Sequence, residues 1–331
     1  MEKINVGVIG VGNMGQHHAR IYSKLENSNL VCICDINEKR GKEIAEKYGC
    51  KYYKNYIDML KNEKLDAVSV CVPTSLHHEV AKNVILNGIN LLIEKPIAKT
   101  VEEGEELVKL AKEKNVKLTV GHIERFNPAI RKLKEMIAQN ELGNITSVIA
   151  RRVGLFPPQI KDADVIIDLA VHDIDVFNYL FNKTPVRVYA KSGRALINKR
   201  ADFSDIFLEY EGVSGFIQVN WITPIKIRSL AVNGTRGYVE LNYITQEINF
   251  YKSNYETSHN DFGDFVIKFG NPEKKIIDIK KEEPLKIELE SFINCIKAGE
   301  EPLVTGEDAL NSLKVAEAII RSAKEKKVIV L

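Results

Sequence analysis

The stretch "VGVIGVGNMGQHHARI", residues 6–21, constrains this chain more than any other. A β-branched apolar run feeds into Gly10, Gly12 and Gly15, and a helical pattern starts directly behind them. In a strand–GxGxxG–helix unit each glycine has its own reason. One permits the tight turn, one lets backbone approach a pyrophosphate, and one lets the helix pack close to the strand. The helix N-terminus then offers N–H groups and the positive end of its dipole to phosphates. Asp35 closes the next strand pattern, "LVCICD", about 20 residues further on, where a carboxylate grips the ribose hydroxyls of a dinucleotide. A carboxylate there repels a 2′-phosphate, so the pattern favours NAD over NADP, although Lys39 and Arg40 stand close by.

Residues 4–121 alternate between short apolar runs and amphipathic segments. "INVGVIG", "LVCICD", "DAVSVCVP", "INLLIEKP" and "KLTVGH" read as strands. Between them lie helical patterns, one of which, "TVEEGEELVKLAKEKN", opens with a capping box from Thr100 to Glu103. Alternation of this kind predicts a parallel sheet covered on both faces. The pattern then changes. "NPAIRKLKEMIAQN" and "DLAVHDIDVFNYLF" read as amphipathic helices, and residues 185–270 as strands with Gly-containing turns, which pair antiparallel. The end is helical again before a short "VIVL". The expectation is an α/β chain with a Rossmann domain over 1–122 and an α+β domain over 123–331. A length of 331 residues suits two cores, and no Gly/Ser-rich linker separates them.

Lysines and acids interleave to a net charge of +2, so no field for nucleic acid exists. Cys32, Cys34, Cys50, Cys71 and Cys295 form no CxxC pair and read as reduced thiols rather than zinc ligands or disulfides. No apolar run reaches membrane-spanning length and no leader pattern precedes the first strand, so a cytoplasmic protein without a membrane partner is expected.

"CVPTSLHHEV" and "IEKPIA" both follow strands, at the carboxyl edge where open α/β sheets bind ligands. Pro73 and Thr74 would start a loop over the cofactor, and Glu94-Lys95-Pro96 would put a lysine at the mouth of the crevice. Asn13, Met14 and His77 complete the expected cofactor contacts, together with Glu94 and Lys95. Asp168 and His172 stand four apart and share a helix face. From the residues alone, a capping aspartate and an interior histidine describe that pair as well as a catalytic role does. Asp173 and Asp175 read as acids favoured by the helix dipole. The adjacent histidines 17/18 and 77/78 face different sides of their helices, and no metal site is expected.

Taken together, "GVIGVGNMGQHHA", "CVPTSLHHEVA", "EKPIA", "GHIERFNPAI", "DLAVHDID" and "GEDALNSLKVAEAIIRSA" make the chain similar to the Gfo/Idh/MocA oxidoreductases over nearly its whole length. The resemblance implies NAD(P)-dependent chemistry at a sugar or cyclitol carbon. It implies a large, open, mostly antiparallel C-terminal sheet that forms subunit contacts, hence a homo-oligomer, dimer or tetramer. It makes Lys95 catalytic, with the bond before Pro96 often cis. It reads Asp168 and His172 as the family's D-x-x-x-H, with the histidine at the substrate hydroxyl and either it or Lys95 as the base. Within the family, "VGHIERFNPA", "RRVGLFPP" and "VIIDLAVHDID" are most similar to members that oxidise the C3 hydroxyl of UDP-N-acetylglucosamine for 3-amino-sugar synthesis. Members acting on the corresponding uronate, on inositol or free sugar, and a non-catalytic NAD-binding regulator are the alternatives. On the nucleotide-sugar reading Arg125, Arg151, Arg152 and Lys161 supply cations for the diphosphate. Asn127 resembles a position near nicotinamide or substrate, and fits a helix N-cap before Pro128 equally well.

Overall fold

The computed structural model describes residues 3–156, 163–259 and 265–331. The chain forms two compact units, Met1–Phe126 with Glu282–Lys314, and Asn127–Lys281 with Val315–Leu331. The first unit opens with β1 (Ile4–Ile9), α1 (Gly15–Tyr22), β2 (Ser28–Cys34), α2 (Glu38–Tyr48), β3 (Lys51–Tyr53) and α3 (Tyr56–Asn62). It continues with β4 (Ala67–Val70), α4 (His77–Leu86), β5 (Asn90–Ile93), α5 (Val101–Lys114) and β6 (Leu118–Val120). All strand pairs are parallel, in the order β3-β2-β1-β4-β5-β6. Val6, Val8, Val68, Val70, Leu91 and Leu92 are solvent-free, as strands covered on both faces must be. The helix starts obey local chemistry. Asn37, Asn55 and Thr100 each accept a first-turn N–H, and the Glu103 carboxylate reaches back to the Lys99 N–H. The short β3 and α3 escaped the sequence reading because neither is long enough to show a period.

The second unit begins with α6 (Pro128–Ala138) and β7 (Ile145–Leu155). A π turn at Ile166–Ala170 runs into α7 (Val171–Phe181). There follow β8 (Arg187–Gly193), β9 (Phe203–Tyr210), β10 (Val213–Asn220), β11 (Ile222–Gly234), β12 (Gly237–Asn242) and β13 (Glu247–Lys252). Next come the hairpin β14 (Tyr255–His259) and β15 (Phe265–Phe269) and then β16 (Glu273–Ile277); α8 (Pro284–Ala298) and the start of α9 (Gly306–Glu325) belong to the first unit, and the rest of α9 and β17 (Ile329–Val330) to the second. A nine-stranded sheet runs β16-β13-β12-β11-β7-β10-β9-β8-β17, antiparallel at every pairing except β10 with β7. On one face it buries Val148, Ala150, Leu208 and Ile217 against Ile130 and Leu133 of α6 and Ile174 and Phe177 of α7.

Two features differ from the sequence expectation. The strand β7, at the centre of the sheet, was passed over because Arg151 and Arg152 interrupt its apolar character. The first unit also extends beyond residue 122. It takes 123–126 and recovers 282–314, because Leu285, Leu289, Phe292 and Ile293 of α8 pack into the core formed by Val6, Val8, Ile33 and Leu92. All five cysteines are free thiols. Among the described residues no helix is long and apolar enough to cross a membrane.

Candidate active site

The glycine loop leaves β1 where the strand order reverses, with β2 on one side and β4 on the other. Gly10 has φ +84°, and a Cβ there would lie 2.7 Å from the Cys71 carbonyl oxygen. A Cβ at Gly15 would lie 1.8 Å from the Gly10 carbonyl oxygen, so α1 can approach the loop only without one. Gly12 is the opposite case. A Cβ built on it meets nothing within 4 Å, which is the open cradle that a pyrophosphate requires of the second glycine. Met14, at the N-cap of α1, makes no side-chain bond to the first turn, unlike the caps of α2, α3 and α5. The Gln16 and His17 N–H groups donate to the Gly12 and Met14 carbonyls at 3.4 and 2.8 Å, and the α1 terminus offers an anion the positive end of its dipole.

Asp35 follows β2. Its Oδ2 accepts the Val11 N–H at 2.8 Å and its Oδ1 the Asn37 N–H at 2.8 Å. Two backbone donors thus fix the carboxylate beside the glycine loop, and each oxygen retains lone-pair capacity for a ribose hydroxyl. Arg40 Nη2 donates to Gln16 Oε1 at 2.6 Å and its Nε to the Val11 carbonyl at 3.4 Å, so this cation is tied to the same loop. Loop, helix terminus and carboxylate fit a bound NAD.

Pro73 and Thr74 open a 3-10 turn, Thr74–Leu76, at the end of β4. His77 sits deeper than a cofactor contact. It is 1% exposed, with Nδ1 2.7 Å from the Pro96 carbonyl oxygen and Nε2 3.0 Å from that of Val72. Its ring ties the β4 loop to the β5 loop and so positions both. The Lys95–Pro96 bond is cis. Beside it, Glu94 Oε1 accepts from His18 Nε2 at 3.1 Å, and Glu94 Oε2 from the Lys95 N–H at 3.3 Å. Burial pushes the Glu94 carboxyl up. The His18 hydrogen bond and the charges of His18, Lys95 and His77 outweigh it, and hold the group below the usual carboxylate range. Ligand atoms of His18, Glu94 and Cys71 lie within 4.8 Å of one another. Burial, with the charges of Glu94 and Glu288, pushes the Cys71 thiol well up. No spacing in the sequence announced this trio, whose members come from α1, β5 and the end of β4.

In the second unit the helix cap is Asp164, whose Oδ1 accepts the N–H groups of Ile166 and Ile167 at 3.0 Å. Burial keeps its carboxyl above the usual range despite these bonds. Asp168 is therefore not the cap. It lies in the π turn, a helical irregularity frequent at functional sites. Asp168 and His172 are both partly exposed, whereas Leu169, Ala170, Val171 and Asp173 between and beside them are buried.

The predicted substrate cations are placed differently from expectation. Arg125, in the first unit, is 4% exposed. Its Nη1 bonds the Leu303 carbonyl at 3.2 Å and stands 3.3 Å from Asp308 Oδ2. Burial pushes the Asp308 carboxyl up, yet Arg125 and Thr305 hold it below its usual range. Arg152 is 5% exposed and forks onto Asp173, Nε to Oδ2 at 2.8 Å and Nη2 to Oδ1 at 3.1 Å. The Tyr243 hydroxyl donates to the same Oδ1 at 2.9 Å. Asp173 is thus the buried anion of an ion pair rather than a dipole-favoured surface acid. Asn127 caps α6, accepting the Ala129 N–H at 3.1 Å and donating to the Tyr243 carbonyl at 3.0 Å. Arg151 is exposed and donates to Gln218 at 3.2 Å; Lys161 lies outside the described residues.

Residues 4–122 match the oxidoreductase family of the NAD-binding Rossmann fold, and residues 134–331 match that family's C-terminal alpha/beta domain. The chain belongs to the Gfo/Idh/MocA oxidoreductase family. It is 31% identical over 299 residues to the UDP-N-acetylglucosamine 3-dehydrogenase of Acidithiobacillus ferrooxidans, covering 90% of each chain. A solved structure of that enzyme superposes with a TM-score of 0.85 at 28% identity, over 98% of this chain and 99% of the other. The inositol 2-dehydrogenase of Rhizobium meliloti is 28% identical over 336 residues, covering 98% of both.

Proposed function

We propose that the protein oxidises the C3 hydroxyl of a UDP-N-acetylhexosamine, UDP-N-acetylglucosamine in the first instance, to the 3-keto sugar with NAD. The observation that carries this reading is the likeness to the Acidithiobacillus enzyme, 31% over nine-tenths of both chains. NAD supplies the hydride acceptor. The C3 hydrogen leaves as hydride, the hydroxyl proton goes to a base, and the C–O bond becomes a carbonyl. Lys95 contacts the reacting oxygen, His172 accepts or relays the proton, and Asp168 orients one of them. The partly exposed Asp168–His172 face supports these roles.

Inositol is the second reading, favoured by relatives that act on it at 24–28% identity over 98% of this chain. Appearance of NADH absorbance with UDP-N-acetylglucosamine, and none with myo-inositol, is the expected result. Turnover of inositol alone would replace the first reading by the second.

We also infer a homo-oligomer through the open face of the nine-stranded sheet. Ile149, Phe216, Phe207 and Tyr189 stand directly opposite one another on β7, β10, β9 and β8, an apolar row across four strands. Ile149, Phe216 and Tyr189 are 41%, 42% and 44% exposed in the single chain, which supports this reading. Phe216→Glu should shift the molar mass measured by light scattering down to that of one chain. An unchanged mass would exclude this face.

A further inference from the structure

We propose that a cavity within the second unit, walled by Leu169 and Trp221 and edged by Lys226 and Arg228, takes the phosphate-bearing half of the substrate. This rests on the nucleotide-sugar reading above and adds the residues that would select for it. The cavity has a local cause. β11 pairs with β7 at Ile222↔Leu155 and again at Ile227↔Val153. Four residues, 223–226, therefore face the single Gly154, which offers no side chain to fill the gap. Such a bulge re-aims side chains beside a site. Here it opens a space of about 400 Å³ lined by Gly154, Leu155, Leu169, Trp221, Pro224, Lys226 and Arg228. That volume lies within the range of small-molecule sites, at roughly 300–1,000 Å³.

Charge and position select the occupant. Among the described residues, two cations and no carboxylate line the cavity. Arg228 is held in place by Nη1 bonds to the carbonyls of Val153 at 2.6 Å and Ile227 at 2.8 Å. Lys226 is exposed and forms no ion pair among the described residues. An apolar wall beside a held guanidinium and an exposed ammonium suits a group that joins a flat ring to phosphate. Leu169, in the cavity wall, directly follows Asp168, one of the residues proposed to act in the reaction. Two further surface clefts among the described residues lack this character. The cleft of Arg236, Lys252 and Lys275 also contains Glu141 and Glu273. In the cleft beside α5, Lys112 and Lys117 are neutralised by Glu307 and Glu301.

The test titrates the NAD-loaded full chain with UDP, the nucleotide without its sugar, by calorimetry, and measures KM and kcat with UDP-N-acetylglucosamine. Lys226→Ala and the reversal Lys226→Glu should weaken UDP about 10- to 100-fold, the worth of one charge-assisted hydrogen bond. KM should rise with little change in kcat, the signature of binding lost equally from ground and transition states. Both Lys226 variants are surface changes, and Arg228→Met, with its melting temperature as control, repeats the comparison inside the cavity. Turnover of the UDP-sugar with UDP affinity and KM unmoved by every variant would overturn the subsite and leave the proposed function standing. A wild-type protein that oxidises inositol and binds no UDP would overturn both.

Discussion

Replacing Lys95 by methionine is expected to lower kcat by about 10²- to 10⁴-fold, the span that one positioned acid or base contributes. Methionine keeps the length and the apolar stem and removes only the ammonium. NAD affinity, measured by titrating the quench of protein fluorescence, should stay close to wild type, because the glycine loop and Asp35 are the groups proposed to grip it. His172→Asn should cost a similar factor, and the two variants separate in their pH profiles. An acid limb in the wild type that vanishes in His172→Asn identifies the base. A limb that survives there and vanishes in Lys95→Met assigns the proton to the lysine. Turnover of Lys95→Met within threefold of wild type would remove the lysine from the chemistry altogether.

Asp173→Ala is expected to destabilise the second unit by about 3–5 kcal/mol, the cost of stripping a buried charge of its partner. The carboxylate is solvent-free and accepts both prongs of Arg152 and the Tyr243 hydroxyl. Without it the guanidinium stays in the core stripped of that carboxylate, with the Tyr243 ring 4.8 Å away. At about 2–4 °C per kcal/mol for a domain of this size, the melting point should fall by roughly 6–20 °C. The double variant Arg152→Met/Asp173→Leu should lose much less, since it leaves no buried guanidinium without its carboxylate. Equal losses for single and double variants would show that the site answers to packing volume rather than to charge.

The ion pair also marks where sequence reasoning stopped. Arg152 looked like a phosphate ligand because arginine suits phosphate geometry. Its actual partner stands 21 residues away on α7, and nothing in the local pattern distinguishes the two fates. Arg125 went the same way, held by the Leu303 carbonyl and Asp308 from almost 180 residues further along. The cofactor side was far more legible. GxGxxG and Asp35 act through backbone geometry over short separations, and the parallel strands advertise themselves as apolar runs. His77 was misplaced in depth, because exposure depends on what covers a helix rather than on the helix itself.

The sequence by itself determined the strand–loop–helix that cradles a dinucleotide, the caps of α2, α5 and α6, and the two fold classes. All of these follow from φ/ψ preference, periodicity and hydrogen bonds between near neighbours. The tertiary structure alone decided which charges are spent inside the protein, that α8 returns to the first core, and that a bulge opposite Gly154 opens a cationic cavity. Those outcomes depend on which distant segments meet, and a buried charge takes whatever partner the packing brings to it.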